Sequence, residues 1–226
     1  MADEPVAVYR ETRERLSAFV LDLGDERSRV AVPACPGWSV QDSVSHLVGI
    51  VADLQDGRLD GVGTDEWTLA QVTSRRDATI ADVVDEWTRR GPTFEADLAG
   101  WPPAVAAQLA ADAAMHELDV RAAVGDRDAR GTEGVAVAFD YYAAKVADRI
   151  AEAGLPALAV DLGEGTVSLG AGDPGATVRA SRFEVLRAMG GRRSADQVLA
   201  YEWDGDPTPY VALMSSYGSR AEPLVE

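Results

Sequence analysis

Two histidines, His46 and His116, are the side chains of this sequence most suited to hold a metal ion, and both fall in segments with helical periodicity. His116 follows Asp112 by four residues, so the two side chains are neighbours on one helix face. The rest of that face is apolar or small, which indicates that it points into the protein. Because an unpaired polar group is costly to bury, both side chains need partners.

His46 lies at the edge of the apolar stripe of its own predicted helix, where it could line a seam between two helices. If the two histidine helices are adjacent, then His46, Asp112 and His116 converge. Two imidazoles and one carboxylate form a catalytic zinc set with a fourth position open, and the same set suits non-haem iron. The alternative is structural, because an Asp–His pair at this spacing is often a simple hydrogen bond. Spacing alone leaves both interpretations open.

The elements that must position these residues are helices in the first two thirds of the chain. Ser39 is a candidate N-cap, since Asp42 follows it three residues later. Gly91-Pro92 is expected to end or kink one helix, which Phe94 and Leu98 could continue. Residues 55–77 are expected to form a long polar connection. The predicted helices cover about 4–23, 39–54, 79 to the Gly91-Pro92 step, 102–124 and 134–153.

The pattern of the sequence changes after Gly154, where short β-branched or alternating runs lie between Gly-rich turns. We therefore expect a helical bundle over residues 1–154 and a small α+β domain over residues 155–226. The predicted strands of the second domain are 157–161, 166–169 and 176–180, and its predicted helices are about 182–189, 194–203 and 209–217.

The composition indicates a soluble, acidic protein. The chain has 226 residues and a formal net charge of −17, so phosphate backbones and anionic membrane surfaces are not expected partners. No apolar run reaches the roughly 18 residues that a membrane-spanning helix needs, and the N-terminus lacks the apolar core of a secretory signal. Cys35 is the only cysteine, so no internal disulfide can form. These features favour a cytoplasmic location, whereas the oligomeric state stays open.

The sequence resembles the mycothiol-dependent maleylpyruvate isomerase family along nearly its whole length. Residues Ala34–Leu47 contain Pro-Gly-Trp and then His-Leu on a predicted helix, which is similar to the start of that family. Residues Met115–Gly125 resemble the second histidine helix of the family, in which Asp follows His. The runs Ser181–Ser194 and Trp203–Pro207 are similar to the second domain of many members.

The resemblance implies a DinB-like four-helix bundle that holds a divalent metal, usually zinc. It assigns metal ligation to His46 and His116, and a carboxylate four residues before the second histidine is the third ligand. That carboxylate is typically Glu in the family, whereas here it is Asp112, which is one methylene shorter.

The resemblance also implies an enzyme that uses mycothiol or a similar thiol as cosubstrate with a small electrophile. The metal would lower the pKa of the thiol, and the thiolate would add to the electrophile. The product would be a thiol conjugate or a cis–trans isomer. The alternative is a non-catalytic metal- or ligand-binding module on the same scaffold, which the exchange of Glu for Asp suggests.

Other candidate side chains have alternative interpretations. Arg192 and Arg193 precede a predicted helix N-cap and could hold a substrate carboxylate, and the alternative is a solvated loop. Cys35 is expected to be a turn or packing residue, because no histidine lies near it in the sequence to activate it. Trp38 is expected to anchor the loop, and the alternative is a stacking platform. Glu117 points away from the His116 face.

Overall fold

The computed structural model describes residues 3–226, which fall into two compact units. The first unit ends at Ala129 and the second begins at Arg130. The boundary near residue 154 that the sequence suggested stays a prediction. Within the described residues, no helix has both the length and the apolar character needed to cross a membrane.

The first unit is a four-helix bundle with one short additional helix. Helix α1 contacts α2, α4 and α5, helix α2 also contacts α4 and α5, and the short α3 packs on α2. This arrangement confirms the predicted bundle. The helices are α1 (Asp3–Ser28), α2 (Val40–Gln55), α3 (Asp65–Thr73), α4 (Ile80–Leu98) and α5 (Pro103–Ala123), and a short 3-10 helix (Asp128–Gly131) follows.

Helix α2 begins where the sequence predicts, because its N-terminus has a complete capping box. The Ser39 hydroxyl accepts from the Asp42 backbone N–H at 3.1 Å, and Asp42 accepts from the Ser39 backbone N–H at 2.8 Å. The apolar stripe that follows is buried, including Val40, Val44 and Val48. Since α2 is fixed by its cap and by this stripe, the orientation of His46 is fixed with it.

One segment differs from the sequence expectation, and a second follows one of the alternatives that the sequence left open. Residues 55–77 contain α3, which the pattern does not indicate because α3 buries only Gln71 and Val72. Helix α4 continues through Pro92 to Leu98. Pro92 removes one donor, but it lies on an exposed part of α4, where water can satisfy the carbonyl that is left.

The second unit combines helices with a four-stranded sheet of order β2-β1-β3-β4, as expected for a small α+β domain. Strands β1 and β3 are parallel, and the other two pairs are antiparallel. Helix α6 packs on β1, β2, α7 and α9. The elements are α6 (Glu133–Glu152), β1 (Ala157–Asp161), β2 (Thr166–Leu169), β3 (Pro174–Arg179), α7 (Arg182–Met189), α8 (Ala195–Leu199), β4 (Glu202–Asp204) and α9 (Thr208–Met214).

The predicted helix over 194–203 is wrong beyond Leu199. Its last residues form β4, in which Trp203 pairs with Val178 of β3. The Trp203 indole N–H donates to the carbonyl of Val198, which turns the chain back from α8. The extended conformation here is determined by pairing with β3, and the local hydrophobic periodicity cannot predict such pairing.

Candidate metal centre

The three predicted ligands meet between helices α2 and α5 of the first unit. Nε2 of His46 lies 3.8 Å from Oδ2 of Asp112, and Nε2 of His116 lies 3.7 Å from Oδ1 of the same carboxylate. One ligand atom from each of the three lies within 4.8 Å of the others. Both histidines are buried, and the Asp112 side chain is 29% exposed, so the carboxylate faces the accessible side of the cluster.

The other nitrogen of each imidazole is held by a buried neighbour. Nδ1 of His46 lies 2.8 Å from Oε1 of Gln71 on α3. Nδ1 of His116 lies 3.2 Å from Oδ2 of Asp119, which is fully buried one turn further along α5. Each imidazole therefore turns Nε2 toward Asp112, and its orientation is fixed by a second polar contact.

Gln71 and Asp119 are the site residues that sequence reasoning did not single out. For Asp119 a signal exists, since an acidic residue three positions after a histidine lies on the same helix face. For Gln71 we find no signal, because it lies in a segment without a usable periodic pattern and 25 residues from His46.

The electrostatics of the two imidazoles differ strongly. Burial is the main influence on His46 and lowers its pKa to about 4, against the opposing charge of Asp112. Burial also acts to lower the pKa of His116. The hydrogen bond with Asp119 and the contact with Cys35 outweigh burial, however, and together with the charge of Asp112 they raise this pKa to about 10.

Trp38 forms one wall of the cluster. Its ring stacks on His116 with centroids 5.9 Å apart and an interplanar angle of 25°, and it tilts against His46 at 5.2 Å. Trp38 closes the turn before α2, because its backbone N–H donates to the carbonyl of Cys35. The residue therefore anchors the loop, as expected, and it also packs directly on both imidazoles, which the sequence did not indicate.

Cys35 lies in the turn, as expected, but the fold brings a histidine to it. Its Sγ is 3.8 Å from Nδ1 of His116 and 3.4 Å from Oδ2 of Asp119. The thiol thus lies on the far side of the His116 ring from Asp112. The sequence gave no indication of this contact, because the two residues are separated by 81 positions.

Glu117 points away from the cluster, in agreement with its helical position. Its buried carboxylate accepts from Nε of Arg15 at 2.7 Å and from Nε of Arg121 at 3.0 Å. The pair with Arg15 ties α1 to α5 next to His116, and the pair with Arg121 lies within α5, so Glu117 supports the backbone that carries the ligand.

The two candidate arginines lie in the second unit, in different environments. Arg193 is buried, and its guanidinium donates to Glu184 at 2.7 Å and to Glu226 at 2.9 Å. Arg192 is half-buried, and its guanidinium donates to the carbonyl of Gly190 at 2.7 Å. Arg193 is thus already committed to two carboxylates.

The donor set fits a divalent cation. Since Gln71 and Asp119 occupy the Nδ1 atoms, the Nε2 atoms of two neutral imidazoles would direct lone pairs toward one carboxylate. The two nitrogen lone pairs lie 3.7 and 3.8 Å from the carboxylate, and they repel it unless a proton or a cation lies between them. Tetrahedral zinc with ligands at about 2.0–2.1 Å needs nitrogen and oxygen atoms roughly 3.4 Å apart, which small side-chain rotations would provide.

Comparisons with known proteins identify a family and a related fold. Residues 9–134 match the family described as mycothiol maleylpyruvate isomerase N-terminal domain. Two crystal structures of the mycothiol-dependent maleylpyruvate isomerase, one of them a histidine-to-alanine mutant, align with a TM-score of 0.62 each. Their sequences are 13% and 14% identical to this chain, and each alignment covers 99% of this chain and 96% of the chain in the crystal structure. No curated protein sequence matches the chain.

The structural likeness at this identity shows a shared fold. The family match covers more than half of the chain and includes the complete histidine and carboxylate cluster between α2 and α5. The chain therefore belongs to the family of the mycothiol maleylpyruvate isomerase N-terminal domain.

Proposed function

We propose that this chain is a metal-dependent enzyme that brings a low-molecular-weight thiol such as mycothiol to a small electrophilic substrate. In S-transfer the thiol stays on the product, and in isomerisation it leaves again after rotation about a carbon–carbon bond. The observation that carries the proposal is the convergence of two Nε2 atoms on the Asp112 carboxylate, 3.7 and 3.8 Å away. Membership of the family supports the choice of thiol chemistry.

We propose that His46, His116 and Asp112 hold the ion, with zinc as the expected metal. When bound, a divalent ion in such a site supplies Lewis acidity that lowers the pKa of a coordinated thiol, so that thiolate is present at neutral pH. Asp112 is shorter than the Glu typical of the family. However, its two oxygens already lie at nearly equal distances from the two imidazoles.

The surrounding residues position the ligands and limit the access of water. Gln71 and Asp119 hold the outer nitrogens, and the Trp38 ring covers one side of both imidazoles. The partly exposed Asp112 marks the side from which a thiol can approach. No protein nucleophile is required, because the attacking sulfur comes from the cosubstrate.

We propose Arg192, ahead of Arg193, as the side chain that binds a substrate carboxylate. Arg193 would have to release Glu184 and Glu226 before it could do so, and Glu226 is buried with it. Arg192 is half-buried, and its guanidinium geometry matches a carboxylate.

The proposal is tested by metal analysis and turnover together. Protein purified without an affinity tag should contain one divalent ion per chain, and His46→Ala and His116→Ala should each lose it. Asp85→Asn, which changes an exposed carboxylate of α4, serves as the matched control and should retain the ion. Unchanged metal content in both histidine variants would contradict the assignment.

Turnover separates the enzyme from the non-catalytic module. With mycothiol present, the metal-loaded protein should convert maleylpyruvate or conjugate a generic electrophile such as monochlorobimane, and the histidine variants should not. A protein that retains metal but turns over neither compound would favour the binding module.

A further inference from the structure

Gln71 connects His46 to a carboxylate at the end of α2. Its amide nitrogen donates to Oδ2 of Asp53 at 2.8 Å, while its Oε1 faces Nδ1 of His46 at the same distance. Arg58 donates through Nε to the other oxygen of Asp53 at 2.7 Å. Gln71 is 2% exposed, so this chain of contacts lies inside the bundle until it reaches Arg58.

We infer that Gln71 is a positioning residue that fixes the tautomer of His46, with the proton on Nδ1 and the lone pair on Nε2. This inference rests on the proposed metal centre, because it concerns the atom that would bind the ion. An ionised carboxylate only accepts hydrogen bonds, so the side of the Gln71 amide that faces Asp53 must be the NH₂ group. Its carbonyl oxygen then faces His46, and Nδ1 must donate to it.

Only an amide meets both requirements at this position. A carboxylate at residue 71 would place a second negative charge against Asp53, and an apolar side chain would leave Nδ1 of His46 without its acceptor. The orientation of the Gln71 amide is therefore fixed by Asp53, and this orientation requires His46 to donate from Nδ1.

Gly49 makes this contact possible. It lies three residues after His46 on α2, and a Cβ at this position would be 2.4 Å from Cβ of Gln71 and 2.5 Å from its Cγ. Real Cβ atoms do not approach other carbon atoms so closely, so any larger residue would push α3 away from α2. The glycine is therefore needed for the amide to reach the imidazole.

The test is the tautomer of His46 in the metal-free protein at neutral pH, read from the ¹⁵N chemical shifts of its ring. The wild-type protein should show the Nδ1–H form, and Gln71→Met, which keeps the length of the side chain, should shift His46 toward the Nε2–H form. Zinc affinity of this variant, measured by competition with a chelator, should fall about 10- to 100-fold.

Two further variants keep the test specific. Gln41→Met is the matched control, because Gln41 is a second buried glutamine, which lies on α2 and donates to the carbonyl of Ala78. This variant should leave the tautomer of His46 and the zinc affinity unchanged. Gly49→Ala removes no polar group but should displace Gln71 from His46, so it should change the tautomer in the same direction as Gln71→Met.

The inference is overturned if wild-type His46 carries its proton on Nε2, or if Gln71→Met leaves the tautomer and the zinc affinity as they were. The proposed function fails separately. If the wild-type protein has the Nδ1–H form but binds no zinc, then the positioning role stands and the metal centre does not.

Discussion

The imidazole planes of His46 and His116 stand at 78° to each other with their ring centroids 5.3 Å apart. The two rings come from different helices of one bundle, so this edge-to-face arrangement depends on the packing of α2 against α5. It turns both Nε2 atoms to the same carboxylate and leaves the faces of both rings to Trp38. Small losses of packing at Trp38 should therefore be measurable as losses of metal affinity.

The first prediction concerns Trp38. Trp38→Leu should weaken zinc binding by about tenfold. Without the indole ring, His46 and His116 are held less firmly, which should lower affinity as the loss of an outer hydrogen bond does. Chelator competition measures the affinity, and thermal unfolding of the metal-free protein measures the stability. Trp101→Leu is the matched control, since Trp101 packs edge-to-face on Phe94 and not on the histidines. If both variants lower zinc affinity equally, Trp38 has no special role at the site.

The second prediction concerns protons released when the metal binds. In the metal-free protein the pKa of His116 is about 10, so its ring carries a proton at pH 7, whereas His46, with a pKa of about 4, is neutral. A metal ion must displace the proton of His116, so zinc affinity should rise about tenfold per pH unit between pH 6 and 8. Calorimetric titrations in two buffers with different ionisation enthalpies should give close to one proton released per ion at pH 7. Release of no proton would show that His116 is neutral before the metal binds.

The third prediction concerns the carboxylate behind His116. Asp119→Asn keeps the size of this fully buried side chain but removes the carboxylate whose hydrogen bond raises the pKa of His116. The zinc affinity corrected for proton competition should fall about 10- to 100-fold, because His116 loses its outer contact. At pH 7 the measured fall should be smaller, because fewer protons have to be released than from the wild-type protein. Asp126→Asn is the control, because it removes a carboxylate that pairs with Arg121 without contacting either histidine. Wild-type proton release from Asp119→Asn would exclude Asp119 as the group that raises this pKa.

The sequence is sufficient to predict the three candidate ligands and most of the helices that carry them. Asp112 and His116 are related by one helical turn, and the capping box at Ser39 fixes the start of the helix with His46. These are local relationships, which spacing along the chain reports directly. Their apolar faces predict that both helices pack into a core, but the contact between α2 and α5 is seen only in the structure.

The second layer of the site depends on contacts between distant segments, which periodicity does not encode. Gln71 lies on a short helix that buries two residues, so its segment is predicted as a polar connection. Its role is recognised only in the structure, where the missing side chain of Gly49 leaves room for Gln71 to contact His46. The contact of Cys35 with His116 likewise depends on the turn before α2 folding over α5. The strand at Trp203 is missed for the same reason, because β3 determines it.

The last prediction separates the two arginines of the second unit. Arg193 is buried between Glu184 and Glu226, so Arg193→Met would leave two carboxylates with fewer partners. Glu226 keeps its ion pair with Arg187, and the Glu184 side chain is 35% exposed. The free energy of unfolding should therefore fall by less than the roughly 3–5 kcal/mol that an uncompensated buried charge costs. Arg192→Met removes a hydrogen bond to the carbonyl of Gly190 from a half-buried side chain and should lower the free energy of unfolding by less than Arg193→Met does.

Kinetics complete the comparison of the two variants. If Arg192 binds a substrate carboxylate, Arg192→Met should raise KM for a carboxylate substrate such as maleylpyruvate and leave KM for uncharged monochlorobimane unaltered. Arg193→Met, assayed well below its unfolding temperature, should alter neither KM value. A raised KM for the carboxylate substrate in Arg193→Met alone would instead assign substrate binding to Arg193. The pairing of Arg193 with Glu184 and Glu226 would then have to open during the reaction.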